Sequence, residues 1–249
     1  NKIGEANADI ICLQETKKEI FDQRFLKNFC PNRINKFDYL PSVGASGGLL
    51  VAGNGGLFSG ETVFLNDFSI SIKFVSKLSG EEWILTNIYG PCQGESRIDY
   101  TNWLLNLNIP NNEDWLLVGD FNYIRSPMNR NKPGGNINDM ITFNDFIRTQ
   151  GLIELPLKGR SFTWSNMQDD PLLEQLDWFF TSVDWITIYP MTEVLPLLGL
   201  LLTMSHVLSQ SKLLFLSQIF LGLKTIGWNW KDLWIVLLSL GISLLGRGA

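Results

Sequence analysis

An apolar run that ends in an acid and an amide is the feature that most constrains this fold. Residues 114–118 read Asp-Trp-Leu-Leu-Val, a pattern typical of a buried strand, and residues 119–122 continue with Gly-Asp-Phe-Asn. Gly119 allows the backbone to turn after the strand, so we expect Asp120 and Asn122 to face the mouth of a sheet. The sequence therefore predicts a strand that delivers two oxygen-bearing side chains to one sheet edge.

A second strand of the same kind lies far upstream. Residues 8–14 read Ala-Asp-Ile-Ile-Cys-Leu-Gln, and the carboxylate of Glu15 follows them directly. Two strand-end acids that are distant in sequence suggest a site for a hard cation. Mg²⁺ takes one or two carboxylates and leaves its other positions to water and phosphate.

The remaining pattern alternates strands with helices, which predicts a layered α/β domain. Apolar spacing predicts helices over residues 15–29, 96–107 and 138–150. Alternation by two over residues 68–75, followed by a second run over residues 82–89, predicts a hairpin.

Composition narrows the choice of function. With 249 residues, of which 45% are hydrophobic, the chain is long enough for one large domain. Cys12, Cys30 and Cys92 lack the spacing of metal ligands, and we interpret them as buried thiols of a reducing compartment.

The net charge of −5 argues against broad electrostatic attraction to nucleic acid. Five basic residues near the chemical motifs could still line a groove, and scattered surface charge is the alternative interpretation. They are Arg125, Arg130, Lys132, Lys158 and Arg160.

Five segments in order resemble the endonuclease/exonuclease/phosphatase family, in particular the endonuclease domain of plant LINE-type retrotransposons. The resemblance covers residues 1–197 and implies a DNase I-like layered sandwich of two packed mixed β-sheets flanked by helices. It also implies that the first strand and the C-terminal strand or strands are missing. The matching segments are residues 9–16, 87–91, 119–122, 159–166 (Gly-Arg-Ser-Phe-Thr-Trp-Ser-Asn) and 176–180 (Leu-Asp-Trp-Phe-Phe).

The resemblance also assigns roles to residues. Glu15 is expected to bind Mg²⁺, with Mn²⁺ as a possible substitute. Asp120 would orient or deprotonate the attacking water, and Asn122 would help to hold that water and the phosphate. Tyr89 would donate a hydrogen bond to the scissile phosphate, and Asp177 would polarise a catalytic imidazole. A nucleic-acid-facing loop would contain Arg160, Thr163, Trp164 and Asn166.

Each role has a structural alternative. Glu15 could be a solvated acid at a helix start, and Asp120 with Asn122 could simply form a turn. Tyr89 could be a strand-end aromatic packed on Pro91, and Trp164 could belong to the core.

The composition changes after Glu193: the remaining tail is rich in Leu and poor in charged residues. We interpret residues 198–249 as frameshifted translation rather than a native domain. The frame formed by the third base of each codon permits Arg-Pro-Thr-Ser-Asp-His-Val-Pro-Cys over residues 198–207, which is the ending expected of the family. His206, the only histidine, would then be a coincidence of translation. Sequencing the encoding DNA tests the frameshift hypothesis.

These interpretations predict a Mg²⁺-dependent endonuclease of a non-LTR retrotransposon, truncated at both ends and inactive in this copy. The expected partners are DNA and a reverse transcriptase domain fused downstream, in an intracellular and nuclear setting, and no feature indicates an oligomer. One alternative is a phosphoinositide phosphatase or other phosphoesterase of the same fold. Another is a membrane-anchored, non-enzymatic protein, although each apolar run in the tail is shorter than a membrane span.

Overall fold

The computed structural model describes residues 8–44, 47–108, 113–196, 212–216 and 234–239. Within these ranges the chain forms strands, helices and a single 3₁₀ turn at Pro127–Asn129. The elements are, in chain order, β1 (Ile10–Gln14), α1 (Gln23–Leu26), β2 (Ile34–Leu40), β3 (Leu49–Asn54), β4 (Phe58–Asn66), β5 (Ser69–Ser76), β6 (Glu82–Tyr89), α2 (Glu95–Asn106), β7 (Trp115–Asp120), α3 (Ile137–Thr149), β8 (Ile153–Glu154), β9 (Trp164–Ser165), β10 (Leu173–Glu174), β11 (Asp177–Thr181), α4 (Val183–Ile188), β12 (Glu193–Pro196), β13 (Lys212–Leu216) and β14 (Trp234–Ser239).

Two six-stranded sheets carry the fold. The first has the strand order β12-β13-β14-β1-β3-β2, and the second has the order β4-β5-β6-β7-β11-β8. Each sheet contains one parallel pair among antiparallel neighbours, β12 with β13 in the first and β6 with β7 in the second. Strands β9 and β10 form a separate ribbon. The predicted sandwich of mixed sheets with helices is confirmed.

The apolar strands are buried on both faces, which explains their continuous runs. On β1, Ile10 and Cys12 point into the core between the sheets, together with side chains of β3, β5, β6 and β7. Ile11 and Leu13 point the other way and pack under α1 and its flanking aromatic residues. Strand β7 behaves likewise, since its outward face packs against α2 and α3.

The hairpin and two of the three helices occur as predicted, as β5 with β6, α2 and α3. The predicted helix over residues 15–29 is confirmed only over Gln23–Leu26, which forms α1. The amides of Thr16 and Lys17 donate to the carbonyls of Gly48 and Gly47, at 3.1 and 3.0 Å. These residues therefore bond to the loop before β3 and do not form a helix. Helix begins only after Asp22, whose side chain accepts a hydrogen bond from the Phe25 amide at 2.6 Å.

Two short pieces of the tail are strands of the first sheet. Strand β14 pairs antiparallel with β1 from Ile10↔Leu238 to Gln14↔Trp234, and β13 pairs with β14. They lie on the side of β1 opposite β3. The frameshift hypothesis and the division at residue 198 stay predictions about the encoding DNA, and His206 lies outside the described residues.

Two further expectations concern solvent and membrane. Cys12 and Cys30 are buried as predicted, but Cys92 is exposed, because it lies in the surface loop between β6 and α2. Among the described residues, no helix combines the length and apolar character that a membrane crossing requires.

Candidate active site

Three predicted site residues lie in one row at one end of the second sheet. Tyr89 ends β6, Asp120 ends β7 and Asp177 begins β11. The parallel register pairs Tyr89 with Asp120, and the antiparallel register pairs Asp177 with the same Asp120. Because directly paired residues share a face of the sheet, Asp120 lies between the phenol and the second carboxyl group.

Gly119 is required for a reason other than the predicted turn. The strand continues through it to Asp120, and its φ is +140°. A β-carbon at this position would lie 2.0 Å from the carbonyl oxygen of Ile88 on β6. The glycine therefore allows β6 and β7 to approach each other beside the site.

Asn122 closes a tight turn over the end of β7. Its φ is +51°, in the left-handed region, and its backbone amide donates to Oδ1 of Asp120 at 2.9 Å. Its side-chain Nδ2 donates to the carbonyl of Gly90 at 2.6 Å. The turn considered as an alternative for this motif is therefore present, and Asn122 also ties together the loops that follow β6 and β7.

Glu15 reaches the site from the other sheet. A buried amide pair links the two sheets just before it: Nε2 of Gln14 donates to Oδ1 of Asn87. Nδ2 of Asn87 donates to the carbonyls of Leu13 and Leu50, at 3.0 and 3.3 Å. Sequence reasoning missed this support, although Asn87 opens one of the matching segments.

The site concentrates negative charge. Burial raises the pKa of Asp120, and the charge of Glu15 raises it further, against hydrogen bonds from Asn122 and the positive charge of Arg97. Burial likewise raises the pKa of Tyr89 well above its usual range, with added contributions from Glu15, Asp120 and a hydrogen bond to Glu15. Glu15 and Asp120 thus act on the same phenol from opposite sheets.

Asp177 is the most deeply buried acid of the site. It is fully buried, and neither carboxylate oxygen has a hydrogen-bond partner among the described residues. Burial raises its pKa well above the usual range and the charge of Asp120 adds to this, while the positive charge of Arg160 favours the charged form. Thr163 is itself fully buried, and its Oγ1 accepts hydrogen bonds from the amides of Leu176 and Asp177, at 3.0 and 3.1 Å.

Of the other residues of the predicted nucleic-acid-facing loop, Arg160 lies near this acid. Arg160 is partly buried, which lowers the pKa of its guanidinium, while the charge of Asp177 raises it. Trp164 on β9 is partly buried against the core. The Oδ1 atom of Asn166 accepts from the amides of Leu172 and Gln168, at 3.0 and 3.3 Å, and so shapes the loop before β10.

The sequence profile of the Endonuclease/Exonuclease/phosphatase family matches residues 1–197. The chain belongs to this family. A search of curated proteins finds no match.

Two solved structures with a TM-score of 0.50 have a similar fold, and a third is similar at a lower score. The APE2 catalytic domain of Xenopus laevis is 14% identical, with a TM-score of 0.50, and the match covers 74% of this chain and 77% of that one. A humanized TDP2 of D. rerio is 11% identical, with a TM-score of 0.50, and the match covers 95% and 87%. The endonuclease domain of TRAS1, a telomere-specific non-LTR retrotransposon, is 10% identical, with a TM-score of 0.45 and coverage of 61% and 69%.

The basic residues considered for a groove are largely neutralised in this family member. Four of the five form ion pairs with nearby acids, and Arg160 is the one that lies at the site. The pairs are Arg125 with Glu154, Arg130 with Glu174 at 3.1 Å, Lys132 with Asp170 at 2.6 Å, and Lys158 with Glu193 at 2.6 Å. They therefore add little net positive field at the surface.

The donor set suits a hard, hydrated cation rather than a closed metal centre. Within the described ranges, no cluster of three or more His, Cys, Asp or Glu residues could enclose a metal ion. The side chain of Glu15 is 21% exposed. The carboxylate of Asp120 lies near it, since the charges of both acids raise the pKa of Tyr89. Mg²⁺ needs only one or two such carboxylates, since water and substrate fill its other positions.

Proposed function

We propose that this chain is a divalent-metal-dependent phosphodiesterase of the nuclease type, derived from a retrotransposon endonuclease and strongly weakened. The observation that carries the proposal is the row of Tyr89, Asp120 and Asp177 on one sheet, with Glu15 brought to it from the other. The family comprises hydrolases that include nucleases and phosphatases, and the reaction class follows from the site.

Asp120 is the group that activates water. A general base works best when its pKa lies near the working pH, and burial with the nearby charge of Glu15 raises the pKa of Asp120 in that direction. The Asn122 amide donates to Oδ1 of Asp120 and fixes the direction of the carboxylate. The raised pKa keeps the Tyr89 phenol protonated, and its proton, which bonds to Glu15 in this structure, would turn to a phosphate oxygen when Glu15 holds the ion.

Glu15 is the residue that would hold Mg²⁺, or Mn²⁺ in its place. When bound, the ion offsets negative charge on the phosphate in the transition state. The residues of the chain would do the rest: Glu15 would hold the ion, Asp120 would take the proton from water, and Tyr89 and Asn122 would orient the phosphate.

The activity is expected to be weak because, in the part of the chain that the structure describes, no imidazole lies beside Asp177. The described part of the chain contains no histidine, and both oxygens of Asp177 lack a hydrogen-bond partner there. Groups that act as one constellation lose activity together. We expect hydrolysis several orders of magnitude slower than in an intact member of the family.

DNA is the substrate we favour over a lipid phosphate. The support is the segment Gly159–Asn166, which resembles the DNA-facing loop of retrotransposon endonucleases and places Arg160 beside Asp177. Under the same proposal, the partners are DNA and a reverse transcriptase domain, and the protein works in the nucleus.

Plasmid nicking tests the proposal. The chain is incubated at high concentration with supercoiled plasmid and Mg²⁺ or Mn²⁺, with Asp120→Asn as the site variant and Asp145→Asn as the matched control. Asp145 lies on α3, is half exposed and pairs with Arg148. We expect slow nicking that EDTA and Asp120→Asn abolish and Asp145→Asn leaves unchanged. Phosphate release from phosphoinositide vesicles without nicking would establish the alternative phosphoesterase, and equal nicking by Asp120→Asn would overturn the proposal.

A further inference from the structure

The guanidinium of Arg97 binds both loops that carry the candidate site. Arg97 lies in the first turn of α2, and its Nη1 donates to the carbonyl of Pro91 at 2.9 Å. Nη1 and Nη2 both donate to the carbonyl of Asn122, each at 3.2 Å. One side chain thus joins the Tyr-Gly-Pro loop after β6 to the Asp-Phe-Asn loop after β7.

The guanidinium is itself held from two further sides. Nη2 forms an ion pair with Oδ2 of Asp139 on α3 at 2.8 Å. Its central carbon lies 4.1 Å from the centroid of the Tyr123 ring. The side chain is 19% exposed, so its orientation is set by protein contacts rather than by solvent.

The held carbonyl belongs to the residue with the unusual backbone. Asn122 has a φ of +51°, a left-handed conformation that asparagine adopts more readily than most residues with a β-carbon but that local hydrogen bonds still help to hold. Two donors on its carbonyl support this conformation, and the same conformation directs the Asn122 amide at Oδ1 of Asp120. If the carbonyl were released, the turn could relax and the carboxylate would lose a donor that orients it.

We propose that Arg97 is a positioning residue of the reaction, which fixes Asn122 and thereby Asp120 without touching the substrate. This inference rests on the proposed function for its catalytic consequence, but its structural part concerns the turn alone. The fork geometry is essential, because a lysine ammonium has one nitrogen and cannot hold the two carbonyls and Asp139 in a single plane.

A purely structural role makes a different prediction. If Arg97 served only to tie α2 to α3, then Asp139→Asn would weaken the same contact and have the same effect. In our proposal Asp139→Asn is mild, because the bonds from Arg97 to Pro91 and Asn122 remain. Arg148→Met is the matched control, since Arg148 is an exposed arginine on α3 paired with Asp145.

The first readout is amide hydrogen exchange, which requires no enzyme activity. For Arg97→Met we expect exchange of the Asn122 amide to be faster by at least ~10-fold, with Leu117 in β7 unchanged. Arg97→Lys should give an intermediate value, and Asp139→Asn and Arg148→Met should match the wild type. Unchanged Asn122 exchange in Arg97→Met, or equal loss in Asp139→Asn, would overturn the proposal. If Arg97→Met does not fold, Arg97→Lys takes its place. Faster Asn122 exchange in Arg97→Lys than in Asp139→Asn would support the proposal, and equal exchange would overturn it.

The second readout is plasmid nicking in the presence of Mn²⁺. Arg97→Met should lower kcat by ~10-fold or more while KM changes by less than about twofold, because positioning of the base acts on the chemical step. A rise in KM at constant kcat would show that Arg97 binds substrate instead. If the wild-type chain shows no nicking at all, the proposed function fails, while the exchange result still decides whether Arg97 holds the turn.

Discussion

Asp177 lies directly opposite Asp120 in the ladder between β7 and β11, and both carboxyl groups are buried. Two acids so placed disfavour each other's charged form, and burial adds to the effect. The pair therefore lowers the stability of the fold at neutral pH.

The stability cost can be measured by removing one charge. An acid with a raised pKa in the folded state binds more protons there than in the unfolded chain, so stability falls as pH rises from about 4 through the folded pKa. We therefore expect the wild type to be less stable at pH 8 than at pH 5. Asp177→Asn should be more stable than the wild type at pH 8 by about 1 kcal/mol or more, with a flatter pH dependence.

Urea unfolding in EDTA at both pH values checks this prediction. Asp145→Asn, which removes a half-exposed acid, should follow the wild-type pH dependence. A variant Asp177→Asn that is less stable than the wild type at pH 8 would mean that Asp177 is favourably paired in solution.

Gly119 offers a test of the close contact between β6 and β7. We expect Gly119→Ala to destabilise the fold by about 3 kcal/mol or more, because its β-carbon would meet the Ile88 carbonyl at 2.0 Å. Gly80→Ala is the matched control: Gly80 also has a positive φ, +73°, but no atom lies within 4 Å of the added carbon. It should cost about 1 kcal/mol. Equal losses in thermal or urea unfolding would show that backbone conformation alone explains the glycine.

The site was predictable wherever its signal is local in sequence. Strand β7 with Asp120 and the hairpin of β5 and β6 are set by apolar runs and turn residues that neighbours alone can specify. Two helices follow for the same reason. Family resemblance then supplied the residue roles that strand pattern leaves open.

What sequence pattern missed depends on partners far along the chain. The predicted helix over residues 15–29 begins too early, because Thr16 and Lys17 bond to a loop some thirty residues away, and that tertiary contact overrides the local preference. Arg97 has nothing in its neighbourhood that marks it, because its carbonyl partner on Asn122 is 25 residues distant. Asn87 is similar, since its partner Gln14 lies 73 residues away on the other sheet.

The buried amide of Asn87 is expected to hold the two halves of the site together. In Asn87→Ala, the carbonyls of Leu13 and Leu50 lose their donor and Gln14 loses its acceptor. We expect a loss of about 2–4 kcal/mol in the free energy of unfolding, since buried polar groups without partners are costly. Asn106→Ala removes an exposed amide that bonds only within α2, and should cost less than about 0.5 kcal/mol. Similar losses for the two variants in urea unfolding would mean that the hydrogen bonds of Asn87 between the two sheets do not stabilise the fold.

Thiol reactivity should separate Cys92 from the other two cysteines. Cys92 is exposed in the loop after β6, whereas Cys12 and Cys30 are buried between and behind the sheets. Burial raises the pKa of Cys30 to about 12 and that of Cys12 higher still, so neither forms a thiolate near pH 8. A chromogenic disulfide reagent at pH 8 should therefore modify one thiol in the native protein and three in denaturant. The native reaction should vanish in Cys92→Ser. Rapid reaction of Cys12 in that variant would show that the first sheet opens at β1, next to the segment that carries Glu15.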